Sequence, residues 1–236
     1  MRVNCKSGNI MSKLIKRFFG RQSFVAGALI ISAGGFISKI LGALYRIPLT
    51  NILGGEGMGI YQMVYPLYCI LLTVSASGIP AGIARLISSG RAPGAEKSAF
   101  KLYGFIGVLG TIAMFLLARP LASAQGEPAV GLCCKLLAPA VFFVAVLSVV
   151  RGYFQGRHNM IPTAFTEVCE QLLKVLAGVA FAWQFRGNMP LAVGSTLFAV
   201  TLSEGFSALF GVMLYRGEGT PRPLFPERRA GYGGIL

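Results

Sequence analysis

Apolar stretches of about twenty residues, long enough to cross a bilayer as a helix, fill most of this chain: Phe24 to Pro48, Ile60 to Ile87, Leu102 to Ala118, Leu132 to Val150, Pro162 to Phe185 and Pro190 to Leu214. A backbone in lipid must satisfy its own hydrogen bonds, so such runs fold as helices. Only 13% of the residues are charged and 54% are hydrophobic, whereas soluble domains average about 25% charged. The pattern predicts an all-α integral membrane protein with six complete transmembrane helices.

The segments around these runs set the expected layout. Residues 1–23 form a basic N-terminal segment carrying Arg2, Lys6, Lys13, Lys16, Arg17 and Arg21. The apolar run after it is too long for the core of a cleaved signal peptide. Residues 24–215 are the six-helix unit, 216–229 a basic, proline-containing linker, and 230–236 the opening of a seventh helix that stops short, as in a truncated chain or one half of a transporter. The leader, Arg91, Lys97, Lys101, Arg157 and the linker's arginines fall on one side. Arg119 and Arg186 fall on the other, with Lys135 at the margin of the fourth run. The positive-inside rule then puts the N-terminus in the cytoplasm of a multi-pass protein of the cytoplasmic membrane.

Glycine and proline predict the interruptions and close contacts. Thr50 to Gly59, with four glycines, reads as a turn too glycine-rich to remain helical. Pro80 between Gly78 and Gly82 predicts a kink in the second span, and Arg119 to Gly131 reads as a loop. Gly34, Gly35, Ser38 and Gly42 give the first span a small-residue face for helix contact, and Gly104, Gly107 and Gly110 do so for the third.

The fifth run departs from the apolar pattern. Glu167, Glu170, Gln171 and Lys174 recur at i, i+3, i+4 and i+7, on one helix face. A charge near the bilayer centre costs at least about 2.5–3.5 kcal/mol, so this face should turn inward, toward a pathway or a partner helix. A plainer alternative is that Glu170 and Lys174 pair with each other along the helix. Glu204 adds an acid within the sixth span, and Lys39, Arg46, Arg85 and Arg151 add cations within spans or at their ends. Cations converging on one cavity would suit an anionic phosphate or pyrophosphate, with Glu167, Glu170 and Glu204 balancing the charge or binding a coupling proton or cation. Arg46, Arg85 and Arg151 could instead reach back to the headgroups.

Other chemistry lacks its residues. There is no Asp, and His158 is the single histidine, so a catalytic triad or a histidine metal cluster has little to be built from. The five cysteines include no CxxC pair and read as small buried hydrophobes. No metal, cofactor or enzymatic activity is expected. The formal charge of +14 comes without a basic module interleaved with exposed aromatics, so nucleic acid is not an expected partner.

Several local runs resemble a known family: Ser-Lys-Ile-Leu-Gly at 38–42, Asn-Ile-Leu-Gly-Gly-Glu-Gly-Met-Gly-Ile-Tyr-Gln at 51–62, Ser-Gly-Ile-Pro at 77–80, and Arg-Gly-Tyr-Phe-Gln-Gly with Asn-Met-Ile-Pro-Thr across 151–163. They are similar to the polysaccharide-exporter branch of the multidrug/oligosaccharidyl-lipid/polysaccharide flippase superfamily, closest to the stage V sporulation protein B group and related to lipid II flippases. The resemblance implies one lobe of a two-lobe fold that rocks about a central cavity. It implies movement of a lipid-linked, pyrophosphate-bearing saccharide or peptidoglycan precursor across the membrane. The partners it implies are membrane lipid, that lipid-linked saccharide, and a second half or second copy of the transporter. By position, the cavity-lining cations of lipid II flippases correspond to Lys39, Arg85 and Arg46, with Tyr45-Arg46 where those flippases carry an Arg-Asp pair. A multidrug exporter of the same fold is a weaker alternative, since those usually depend on ion sites that include Asp. A membrane enzyme acting on polyprenyl phosphate would need a nucleophile or metal site that the residue inventory lacks.

Overall fold

A computed structural model describes residues 24–89 and 95–217. The basic segment 1–23, the linker from 218 and the stretch 230–236 expected to open a seventh helix lie outside the described residues, as do Arg91 and Cys5. Among the described residues five helices follow in order: α1 Phe24–Ser88, α2 Ala95–Gln125, α3 Pro128–Gly156, α4 Ile161–Gln184 and α5 Met189–Gly217.

Helix α1 is two antiparallel arms joined at one residue. Gly54 has φ 63° and ψ −168°, a conformation essentially restricted to glycine. Ile31 then shares a cavity with Pro80 and Ala81, and Arg46 shares another with Tyr61 and Tyr65. In a straight helix Ile31 and Pro80 would stand roughly 70 Å apart. The turn expected over Thr50–Gly59 is thus confined to Gly54, and the flanking residues stay helical. Glycine costs about 1 kcal/mol in a helix, but Leu53, Met58 and Ile60 are buried there and Gly57 lies against Leu53, Met189 and Val193. Packing overrides propensity. Helical dihedrals also run through Pro80.

The loop expected over Arg119–Gly131 is likewise only Gly126 and Glu127. Helix α2 ends in a Schellman cap: Gly126 has φ 70°, its N–H donates to the Ser123 carbonyl, and the Glu127 N–H donates to the Ala122 carbonyl. Glu127 then caps α3, accepting from the Ala129 N–H at 3.1 Å, with Pro128 in the first turn. Extending both helices leaves little irregular backbone to satisfy near lipid. Helix α3 closes in the same way with His158 at φ 58°: its N–H donates to Gln155 O, and that of Asn159 donates to Phe154 O, both at 3.0 Å.

Helix α3 packs against α1, α2 and α5, while α4 packs on α1 and α5, so α3 and α4 barely touch. Cys133 and Cys134 are fully buried within the main apolar core, with Leu137, Val141, Leu197 and Val200. Gly152 and Gly156 let the second arm of α1 approach closely: a methyl group at either would lie 2.9 Å from the Pro80 or Ala84 carbonyl oxygen. Gly107 and Gly110 meet α3 similarly, whereas Gly104 faces open space. Phe36, Ile47, Phe105, Leu116, Leu176 and Leu209 are exposed outward, as a lipid-facing surface requires.

Among the described residues, four stretches are long and apolar enough to cross a membrane: Val25–Ile70, which contains the Gly54 corner, Lys97–Gln125, Pro128–Gly156 and Met189–Gly217. Helix α4, expected as the fifth span, is not among them. Its Glu167, Glu170 and Lys174 make it too polar by that measure.

Candidate functional site: two cavities along α4

Small residues hold the polar face of α4 against the first arm of α1. A methyl group at Gly34 would lie 2.9 Å from Ala164 Cβ, and one at Gly42 2.9 Å from Gln171 Nε2. Gly27 meets Met160, and Gly178 meets the Tyr45 hydroxyl. The arm and α4 therefore run parallel along the small-residue face expected from the sequence.

The first cavity, about 400 Å³, lies toward the α3–α4 turn. Arg151 and Gln155 come from α3, Thr163, Glu167 and Glu170 from α4, Glu204 from α5, and Ile31 and Pro80 from the two arms of α1. Arg151 Nη2 pairs with Glu170 Oε2 at 2.8 Å, and Arg151 Nε donates to Thr166 Oγ1 at 3.4 Å. The alternative Glu170–Lys174 pair along the helix is replaced by this bridge between helices. Glu204 is 1% exposed, and its Oε1 accepts from the Tyr68 hydroxyl at 2.8 Å. The Thr163 hydroxyl is buried with no partner among the described residues.

The second cavity, about 360 Å³, lies toward the Gly54 corner and has no carboxylate in its lining. Arg46 and Lys174 line it with Tyr45, Tyr61, Tyr65 and Gln171. Lys174 is 6% exposed, and its Nζ donates to Gln171 Oε1 at 3.2 Å. Tyr61 and Tyr65 stack with ring centroids 5.1 Å apart. The Tyr45 hydroxyl is buried without a partner among the described residues.

The expected residues therefore divide between two places. Arg151, Glu167, Glu170 and Glu204 come together in one cavity, and Arg46 and Lys174 in the other. Lys39 and Arg85 are exposed on α1 and line neither. Sequence reasoning missed Tyr68, Thr163, Thr166, Tyr61 and Tyr65. The signal for the tyrosines was present, since 61, 65 and 68 fall at i, i+4 and i+7 on one face. Among the described residues, no three His, Cys, Asp or Glu side chains are grouped to hold a metal ion.

Residues 24–229 match the family model described as polysaccharide biosynthesis protein. Among curated proteins of Bacillus subtilis (strain 168), the chain is 32% identical to the uncharacterized membrane protein YabM over 78% of its own length and 35% of that protein's. It is 32% identical to stage V sporulation protein B over 66% of the chain and 32% of that protein. It is 29% identical to the lipid II flippase MurJ over 82% and 39%. The match thus spans 32–39% of each of these relatives. No solved structure matches the chain. With the match running through all five helices and both cavities, this multi-pass membrane protein belongs to the polysaccharide biosynthesis protein family.

Proposed function

We propose that this chain is one lobe of a flippase that moves a lipid-linked saccharide or peptidoglycan precursor across the cytoplasmic membrane by alternating access. The observation that carries this reading is the polar face of α4, buried within a membrane protein and divided between a carboxylate-rich and a cation-rich cavity. Buried intramembrane charges are costly and line functional paths. The similarity to a lipid II flippase directs the choice of substrate class.

Arg46 and Lys174, with Lys39, Arg85 and Arg151, attract the pyrophosphate, and the stacked tyrosines offer a face for a sugar. Glu167, Glu170 and Glu204 balance Arg151 or take up a coupling proton or cation. The six helical segments form the lobe, with the N-terminus in the cytoplasm. A second lobe, as another segment or a second copy, supplies the opposite wall. Expressing the chain in a bacterium lacking its lipid-precursor flippase, alone and beside a second lobe, tests this reading. Precursor accumulation should fall only when both lobes are present. Unchanged accumulation, with both confirmed in the membrane, would refute it.

A further inference from the structure

A basic groove between α2 and α3 is separate from both α4 cavities. It measures about 530 Å³ and is lined by Arg119, Ser123, Gly126, Gly131, Leu132 and Lys135, among others, with no carboxylate in the lining. At its floor Gly131 packs against α2, with Ala118 and Ala122 as its nearest neighbours. Arg119 lies six residues before the end of α2 at Gln125, and Lys135 seven residues after the start of α3 at Pro128. The two cations therefore stand at nearly equal distances from the Gly126–Glu127 turn, on the two walls of the groove. Lys135 Nζ sits 5.6 Å from the ring centroid of Phe115, one turn before Arg119 on the same face of α2. The nearest acid in sequence, Glu127, accepts a hydrogen bond at the start of α3.

The depth of the pair matches a headgroup. Helix α2 has 31 residues, about 46 Å at 1.5 Å per residue, against a hydrocarbon core of about 30 Å. Roughly 8 Å of a centred helix then extends past the hydrocarbon at each end, and Arg119 lies about 9 Å from its end. The exposed Phe115 and Leu116, about one turn deeper than Arg119, offer acyl chains a path below.

We infer that this groove binds the headgroup of an anionic phospholipid, its phosphate bridging Arg119 and Lys135. A phosphate seated between the two walls is attracted by both cations. The Ser123 hydroxyl donates to the Pro120 carbonyl, leaving its oxygen to accept from a headgroup hydroxyl, which favours a glycerol headgroup.

The test is native mass spectrometry of the chain released from nanodiscs of equal phosphatidylglycerol and phosphatidylcholine. Arg119→Gln with Lys135→Gln should reduce retained phosphatidylglycerol about 30-fold, at roughly a factor of five per cation. Arg186→Gln removes a cation at the matching end of α4, where it stacks on Trp183 at 4.4 Å, and should leave retention unchanged. Arg119→Lys with Lys135→Arg keeps both charges and most of the lipid, which separates loss of charge from loss of fold. Equal loss in the Arg186 variant, or undiminished retention in the double glutamine variant, would overturn the assignment.

Discussion

The two α4 cavities are built on consecutive turns of one helix face, yet they differ in charge, partners and walls. Toward the α3–α4 turn, Glu167 and Glu170 meet Arg151 from α3 and Glu204 from α5, and hydrogen bonds fix Arg151, Glu170 and Glu204 in place. Toward the Gly54 corner, Gln171 and Lys174 meet Arg46 and three tyrosines from α1, and Lys174 hydrogen-bonds only within its own helix. The neighbouring helices decide the character of each turn. One cavity is held by interhelical polar bonds, and the other by aromatic packing around a cation.

Arg151→Gln should destabilise the protein most, because it leaves the partly buried Glu170 without its bridging partner. Breaking a fully buried pair costs about 3–5 kcal/mol, and this partly exposed one should cost up to that. Thermal unfolding in detergent should show a large drop, and Arg151→Gln with Glu170→Gln should recover much of it. A double variant no more stable than the single would mean that the pair does not hold the acidic cavity together.

Tyr68→Phe deletes the hydroxyl that serves Glu204, an effect of about 1–3 kcal/mol. Gly178→Ala, behind the basic cavity's Tyr45, should cost a similar 1–3 kcal/mol for a different reason, since the added methyl meets the rigid Tyr45 ring. Tyr45→Leu should rescue Gly178→Ala and leave Tyr68→Phe unchanged. Rescue of both would mean that the two cavities are one mechanical unit.

Lys174→Met separates stability from function. Lys174 forms no ion pair among the described residues, and removing a buried charge that has no bonded counter-ion relieves its desolvation cost. Thermal stability should therefore hold or rise, while precursor transport by the assembled flippase falls about ten-fold, the equivalent of one charge-assisted hydrogen bond. A variant as unstable as Arg151→Gln would show that Lys174 is structural.

Part of this division was legible in the sequence. The i, i+3, i+4, i+7 spacing located the polar face of α4, and the small residues at 34, 35, 38 and 42 located what packs on it. Spacing along one helix could not say that Glu170 reaches Arg151 rather than Lys174, because that depends on α3 lying across the cavity. Glycine counting located the turn but made it too long, since burial of Leu53, Met58 and Ile60 keeps all of 50–59 but Gly54 helical. Nor could five intramembrane cations announce that two of them, Lys39 and Arg85, would line neither cavity.

The smallest effects test whether α1 controls the two cavities equally. A methyl group at Gly35 would lie 3.5 Å from Glu167 Oε1, an ordinary contact, whereas one at Gly42 would lie 2.9 Å from Gln171 Nε2. Both positions are helical, where alanine is favoured over glycine by about 1 kcal/mol. Gly35→Ala should therefore raise thermal stability slightly. Gly42→Ala should gain less, because the Gln171 amide must turn away and give up its bond to Lys174, worth about 1 kcal/mol. Gln171→Ala in the Gly42→Ala background should abolish the difference between the two alanine variants. If the difference persists without Gln171, the constraint at Gly42 lies in the backbone approach of α1 to α4, and the basic cavity is set by helix spacing rather than by its amide.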